Sequence, residues 1–449
     1  MTQLPLSRTC EAEVIRPIQY LGSKLRSIDP IVQFTQAKLK PGSTVLDIFT
    51  GSSVVAQALS NVGMRVIAAD VMSYSHHFSQ SLLGPTSSSK FDDAASLVNQ
   101  IRTKPDDNLI QQAYGDWIER EQKAIRFNDA DALFRISQEI PQIWRRMSQT
   151  PCQAFLFDRL QVLKGQRLLD FPGIVSTHYS GTYFGIFQAH LIDSIRFSIE
   201  ILYSEGKLSD WDYSTSITAL LYAASSASFT PGKHFAQYHK LSSKKDLDFH
   251  RKRIISDRSV DIFKKFQEMV ERIWNRGMKN DTGHKSLNKS LEHFCNDNSD
   301  LDGVELVYAD PPYTAQQYSR FYHIPEVISE YRVPDLQIFR GEVTRGLYHK
   351  SRFNSRFSSK RESPHAFEDL ARLSKSIGAD LAISYSESAK DSTGNSRMID
   401  LKSLENICKR YFSSVNCERL KHSYRQFNSA TSANARRSDD EILIVCEDK

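Results

Sequence analysis

The sequence contains no C-x-x-C pair; its six cysteines, Cys10, Cys152, Cys295, Cys408, Cys417 and Cys446, are scattered along the chain. That excludes a zinc-ribbon or disulfide frame, and the thiols read as reduced and structural. No apolar run reaches the roughly 18 residues of a membrane span. The longest candidate, Ile217 to Phe229, is too short and too rich in serine, so no membrane partner is expected. The opening stretch MTQLPLSRTCEAEV lacks the basic-then-apolar order of a secretion signal, which predicts a cytoplasmic location. There is little excess charge: 58 Lys and Arg face 53 Asp and Glu, a net of +5 over 449 residues. So mild a balance identifies no polyanionic partner by itself. Internal repeats and long low-complexity tracts are also missing; Thr86–Ser89 is only a short Thr/Ser-rich loop.

What the chain does have is material for a core. Forty per cent of residues are hydrophobic and 25% charged, enough apolar surface to offset the entropy of ordering. At ~150 residues per domain the length predicts two or three domains. The clearest local pattern runs from Pro41 to Asp70. A buried run from Thr44 to Phe49, interrupted by Asp47, meets the turn Thr50-Gly51-Ser52-Ser53. Helical spacing follows from Val54 to Asn61, Gly63 ends it, and Arg65 to Ala69 forms a second strand finishing at Asp70. This is a β-α-β unit, which builds parallel sheets that bind ligands at the carboxyl ends of their strands. Helices without a strand rhythm are expected from about 85 to 284, including Ala113–Arg126, Ala130–Glu139, a long helix toward Leu202 and a buried one over Ile217–Phe229. The strand rhythm returns near Lys285, with strands at Leu306–Ala309, Leu381–Tyr385 and Glu441–Cys446.

Asp310-Pro311-Pro312-Tyr313 is the sharpest chemical signal, because it follows the apolar Leu306–Ala309 directly. Two prolines fix φ and lack N–H groups, so they make a stiff loop with free carbonyls. An exocyclic aromatic amine set there gives one N–H to Asp310 and the other to the Pro311 carbonyl. Its lone pair is then withdrawn from the ring and becomes nucleophilic, while Tyr313 stacks on the base for roughly 1–3 kcal/mol.

In chain order, several motifs resemble those of the Dam-type class of adenine-N6 DNA methyltransferases. Tyr20-Leu-Gly-Ser-Lys24 is similar to its amino-terminal cofactor motif, Val45-Leu-Asp-Ile-Phe-Thr-Gly51 to its glycine loop, and Ile67-Ala-Ala-Asp70 to the acidic end of its second strand. Asp310 to Ser319, with Tyr322-His323, resembles the catalytic segment, and Tyr179–Phe184, Ile192–Arg196 and Gly232–Ala236 resemble further blocks. The resemblance implies an α/β fold, a Rossmann-like S-adenosylmethionine-dependent methyltransferase sheet with an inserted, mainly helical target-recognition domain. It implies core segments at 1–84 and 285–449 around an insertion at 85–284. It assigns catalysis to Asp310, Pro311, Pro312 and Tyr313. S-adenosyl-L-methionine is assigned to Tyr20, Gly22, Lys24, Asp47, Phe49, Gly51, Asp70 and Asp310. Taken singly, Lys24 reads as a solvated lysine and Asp70 as a helix cap; the ordered set favours the cofactor roles. The implied partners are double-stranded DNA and, in a restriction-modification setting, a cognate restriction endonuclease.

Two positions depart from the family pattern. Ser53 stands where the glycine loop commonly has its last Gly, which predicts a narrower choice of backbone angle and less clearance beside the ligand. Thr314 stands where Asn often follows the catalytic Tyr. Neither removes a group assigned to catalysis.

The basic charge is local. Between Arg340 and Arg361, seven basic residues face Glu342 alone, with Phe353 and Phe357 interleaved. Arg340, Arg345, Lys350, Arg352 and Arg356 are therefore the candidate DNA contacts. Lys240–Lys279 carries 12 basic and 6 acidic residues and reads as a solvated helix face. His76-His77 reads as packing, and methyl transfer from a sulfonium requires no metal. RNA adenine methylation uses the same pocket chemistry. Protein glutamine methylation is disfavoured because its loop usually begins with Asn, and a non-catalytic DNA-binding fold is disfavoured by intact Asp310, Tyr313 and Lys24.

Overall fold

Alternation along the strands sets the layers. After α1 (Ile28–Lys38) come β1 (Thr44–Asp47), α2 (Val54–Asn61), β2 (Arg65–Ala69) and α3 (Ser73–Leu83). Val45, Val66 and Ala68 point to one face and pack with Ile28, Ile31 and Val32 of α1 and Val54, Val55 and Ala58 of α2. Leu46, Ile67 and Ala69 point to the other face. Successive residues of a strand face opposite ways, so both faces of this sheet are buried. The computed structural model describes residues 14–102, 108–145, 147–277, 283–386, 396–425 and 438–448. Residues 1–13, with Cys10, lie outside these; the other five cysteines form no disulfide.

Among the described residues, nine helices follow α3: α4 (Ala94–Arg102), α5 (Asn108–Arg126), α6 (Ala130–Glu139), α7 (Pro151–Val162), α8 (Ile174–His178), α9 (Ile186–Ser204), α10 (Asp210–Ala227), α11 (Lys244–Arg258) and α12 (Ile262–Arg276). The remainder is β3 (Lys285–Leu287), α13 (Leu291–Asn296), β4 (Val304–Ala309), α14 (Tyr318–Phe321), α15 (His323–Glu330), β5 (Ile338–Phe339), β6 (Glu342–Val343), α16 (Ser363–Ser376), β7 (Asp380–Ser386), α17 (Leu401–Cys408), β8 (Ser414–Arg425) and β9 (Ser438–Glu447). Seven strands form one sheet in the order β3-β2-β1-β4-β7-β9-β8, and β5 and β6 make a separate hairpin. The five strands from β3 to β7 are parallel, whereas β9 runs antiparallel to both its neighbours. Phe367 and Leu370 of α16 and Leu404 of α17 cover the face opposite α1 and α2.

The expected helices are present, with boundaries moved by tertiary contacts. The helix expected at Ile217 begins instead at Asp210, where Ser209 and Asp212 form a capping box and Trp211 Nε1 donates to the Ser81 carbonyl at 3.2 Å. Among the described residues, no helix is long and apolar enough to cross a membrane. β8 is missing from the sequence reading because Ser414–Arg425 is a polar edge strand with no apolar alternation.

The helices α4 to α12 share their core with their neighbours. Their apolar side chains merge with Phe78 and Leu82 of α3 and with Ile324, Val327 and Ile328 of α15. Buried polar groups fix that junction. Arg196 on α9, fully buried, donates to the carbonyls of Ile328 and Ser329 and pairs with Glu200 at 2.9 Å. Asp193, one turn earlier, accepts from the N–H groups of Val175 and Ser176 and from the Tyr331 hydroxyl at 2.6 Å. Replacing Arg196 with Leu leaves those carbonyls without their donor in a dry interior. We expect Arg196→Leu to cost about 3–5 kcal/mol of stability, read by denaturant unfolding.

Candidate active site

Chain order reverses between β1 and β4, with β2 on one flank and β7 on the other, so a crevice opens at their carboxyl ends. A cleft of about 1000 Å3, partly open to solvent, occupies it. Its walls are the loop after β1, the end of β2, the segment around Gly22 and the start of the Asp310 loop.

The β1 loop is held by Asp70, whose two oxygens accept from the N–H groups of Gly51 at 3.0 Å and Met72 at 2.9 Å. A carboxylate offers about four acceptor positions, so these two N–H groups do not exhaust it. Gly51 sits at φ +51°, and a β-carbon there would lie 3.0 Å from the Tyr20 ring. Gly22, at φ +69°, would bring one within 2.6 Å of the Tyr318 hydroxyl. Only glycine permits both the angle and the approach. Tyr20 stacks on Tyr322 at 4.5 Å between ring centres, and Leu21 N–H donates to the Tyr322 hydroxyl at 2.6 Å. The amino-terminal motif is therefore clamped by residues just beyond the Asp310 loop.

Acidic groups crowd the cleft. Asp47 is 1% exposed; the Thr50 hydroxyl and the Phe49 N–H act on its carboxylate, but neither oxygen has a hydrogen bond of full geometry. Burial raises its pKa to about 7. Burial also raises Asp70, against the pull of the Met72 and Gly51 N–H groups. Asp310 rises to about 6, again through burial, with Lys24 opposing the shift and Glu441 adding to it. Lys24, 4% exposed, reaches Asp310 Oδ1 at 3.1 Å and Glu441 Oε1 at 3.0 Å. Burial alone would favour its neutral amine, but the two carboxylates outweigh that and hold its pKa well above the ordinary value.

Tyr20, Gly22, Lys24, Asp47, Phe49, Gly51, Asp70 and Asp310 all line this one cleft, as does Pro312. Three sequence expectations need correction. Pro311 is buried, and Tyr313 packs inward at 8% exposure, edge-on to Tyr385, with the Arg397 guanidinium 4.9 Å from its ring centre. An aromatic ring beside Leu381 and Ile383 gains more from the core than from solvent, so the loop is less outward-facing than its prolines suggested. Lys24 is not a solvated lysine: its ammonium is buried and paired with Asp310 and Glu441. The basic segment is not uniformly free: Lys350 pairs with Asp335, Arg352 donates to Gln337 and lies over Tyr348, and Arg356 pairs with Asp369 at 2.8 Å while lining the cleft. Arg340 and Arg345 are exposed. His76 and His77 meet Ser286 and Ser214, and burial lowers the pKa of both.

Sequence reasoning missed Glu441, and it named Gln317 in the Asp310–Ser319 segment and Phe357 among the basic residues without placing either at the cleft. Gln317 exchanges hydrogen bonds with the Ser355 backbone, which draws Phe357 over the cleft, edge-on to Phe49 at 5.2 Å. These contacts join residues far apart in the chain, and no local pattern marks them.

Residues 20–135 match the family model of the D12 class N6 adenine-specific DNA methyltransferases. The chain is also similar to modification methylase LlaI of Lactococcus lactis subsp. lactis, 23% identical over 416 residues that cover 93% of this chain and 52% of that protein. It thus spans about half the length of that relative. The resemblance and the Rossmann-like sheet expected from it are both borne out. The family match ends well before the Asp310 loop.

Ser53 explains one departure. It holds the left-handed conformation at φ 61°, ψ 16°, and its buried hydroxyl has no partner. The cleft wall passes from Ser52 to Val54 without it, so the cost falls on the backbone and not on clearance. Ser53→Gly should raise stability by about 1 kcal/mol, since relief of left-handed strain exceeds the added chain entropy. Thermal unfolding of the two proteins checks this.

Proposed function

We propose that this protein transfers a methyl group from S-adenosylmethionine to the N6 amine of an adenine at a specific site in double-stranded DNA, as the modifying member of a restriction-modification pair. The observation that carries the reading is Asp310-Pro311-Pro312-Tyr313 at the carboxyl end of β4, opposite the Asp47–Gly51 loop across one cleft. The family match and the modification methylase relative support the same reading. A cognate endonuclease belongs to it as the expected partner.

The cleft residues suit the donor. Asp47 offers a buried carboxylate with no hydrogen bond of full geometry, fitting a cationic group, and Asp70 keeps acceptor positions for ribose hydroxyls. Tyr20, Gly22, Phe49 and Gly51 would shape the walls around it. When bound, the donor supplies an electrophilic methyl on a sulfonium.

The chain's own residues then act on the acceptor. Asp310 and the Pro311 carbonyl take the two N6–H groups, which localises the nitrogen lone pair toward the donor. For Tyr313 to stack on the base, the base must take the place of the Arg397 guanidinium. Most of the rate comes from orientation and from hydrogen bonds set before reaction. Because the amine lies inside the duplex, the adenine is flipped out at a cost of a few kcal/mol. Residues 85–284 serve as the target-recognition part, and Arg340 and Arg345 are the exposed phosphate contacts.

Incubation with labelled S-adenosylmethionine and duplex DNA, RNA or protein tests the proposal. Label should enter DNA; entry into RNA alone, or into nothing, overturns it. Asp310→Ala should abolish transfer while donor binding remains measurable, and retained methylation would refute the role of Asp310. Activity should also fall as pH drops through about 6, where Asp310 takes up a proton and can no longer accept the N–H.

A further inference from the structure

Glu441 lies outside every motif described so far, yet it is 3% exposed at the heart of the site. It sits on β9, paired with Ser386 of β7 and Leu420 of β8. Both its oxygens are committed: Oε1 accepts from Lys24 Nζ at 3.0 Å, and Oε2 from the Ser27 hydroxyl at 2.5 Å. The closest approach of Lys24 to Asp310 is at one oxygen, Oδ1, at 3.1 Å.

We infer that Glu441 is a positioning residue for the methyl transfer: it holds the Lys24 ammonium to one side of Asp310, so that Oδ2 remains an acceptor for the substrate amine and the three-group cluster keeps a net charge of −1. This rests on the adenine methyl-transfer reading. A Lys24–Asp310 pair alone would be neutral, with the ammonium free to settle across both carboxylate oxygens. Glu441 prevents that, and Ser27 fixes Glu441. The charge matters because alkylation carries positive charge from the donor to N6, beside Asp310. A cluster that stays anionic favours that later state over the neutral amine, which is the differential stabilisation catalysis requires. An ion pair that merely tied β9 to the amino-terminal segment would not need a second carboxylate next to Asp310, and burying one there is costly. The other ionisable groups that act on Lys24 or Asp310 are Tyr308 and Tyr313, while Asp47 responds to Asp310 across the cleft.

The test compares wild type, Glu441→Gln, Glu441→Asp and Ser27→Ala on duplex DNA across a pH series. Glu441→Gln should lower kcat about 10- to 100-fold while the KM for S-adenosylmethionine stays unchanged. Its acid limb should move to lower pH, because the like charge that raises Asp310 is gone. Glu441→Asp, which keeps the charge, should recover part of the loss, and Ser27→Ala should lose less than Glu441→Gln. A normal kcat in Glu441→Gln overturns the inference; so does a loss that appears only in donor KM with the acid limb unmoved. If Glu441→Gln does not fold, Glu441→Asp and Ser27→Ala must still lower kcat at unchanged KM, and their failure to do so is equally fatal. Wild type that transfers no methyl to DNA fails the functional reading, a different result from an active wild type with an indifferent Glu441→Gln.

Discussion

The site depends on one buried ammonium. Lys24 Nζ joins three parts of the chain that share no local contact: the amino-terminal segment, the Asp310 loop after β4, and Glu441 on β9. Charges removed from water repay their desolvation only when every partner is present, and losing one leaves an uncompensated charge inside. That requirement makes the junction a strong constraint on geometry. It brings the glycine-bearing segment at Gly22 over the cleft, and it sets the height at which Asp310 emerges from the sheet. The tyrosines Tyr20, Tyr318 and Tyr322 pack on one another and join the same amino-terminal segment to the residues after the Asp310 loop.

The helices α4 to α12 obey a similar logic on a larger scale. α15 follows the Asp310 loop almost directly, and its carboxyl end is gripped by Arg196 while Tyr331, just past it, is gripped by Asp193. At its amino end, His323 meets the Phe235 carbonyl, which also accepts from Tyr183. The blocks at Tyr179–Phe184, Ile192–Arg196 and Gly232–Ala236 therefore bear on the Asp310 loop through α15. These helices and the Asp310 loop both bear on α15, so a displacement of the helices would be passed to the loop.

Local signals in the sequence carried the sheet's centre and the cleft. β1, α2 and β2 were legible because a buried run, a Gly/Ser turn and helical spacing follow one another within thirty residues. Asp310 was legible because its prolines stand directly after an apolar strand. The orientation of Tyr313 was not, since whether a ring turns toward solvent or toward Tyr385 depends on a strand some seventy residues later. Glu441 was hidden for the same reason. In sequence it is the third of three consecutive acids before an apolar run, and only the pairing of β9 with β7 turns it toward Lys24. Composition alone made Arg352 and Arg356 look like free cations, whereas their partners Gln337 and Asp369 come from other segments.

The electrostatics of the cleft also say what kind of ligand it is built for. Asp47, Asp70 and Asp310 all stand above their ordinary pKa, and burial is the first cause in each case. A neutral or anionic occupant would leave that penalty in place or increase it. A cationic one would relieve it, and by linkage its binding would pull those pKa values back down. Asp47, near 7 with neither oxygen in a hydrogen bond of full geometry, is the group with most to gain. The one ammonium already present is held by Asp310 and Glu441 and is not available to neutralise Asp47. A cationic occupant of the cleft supplies the missing charge.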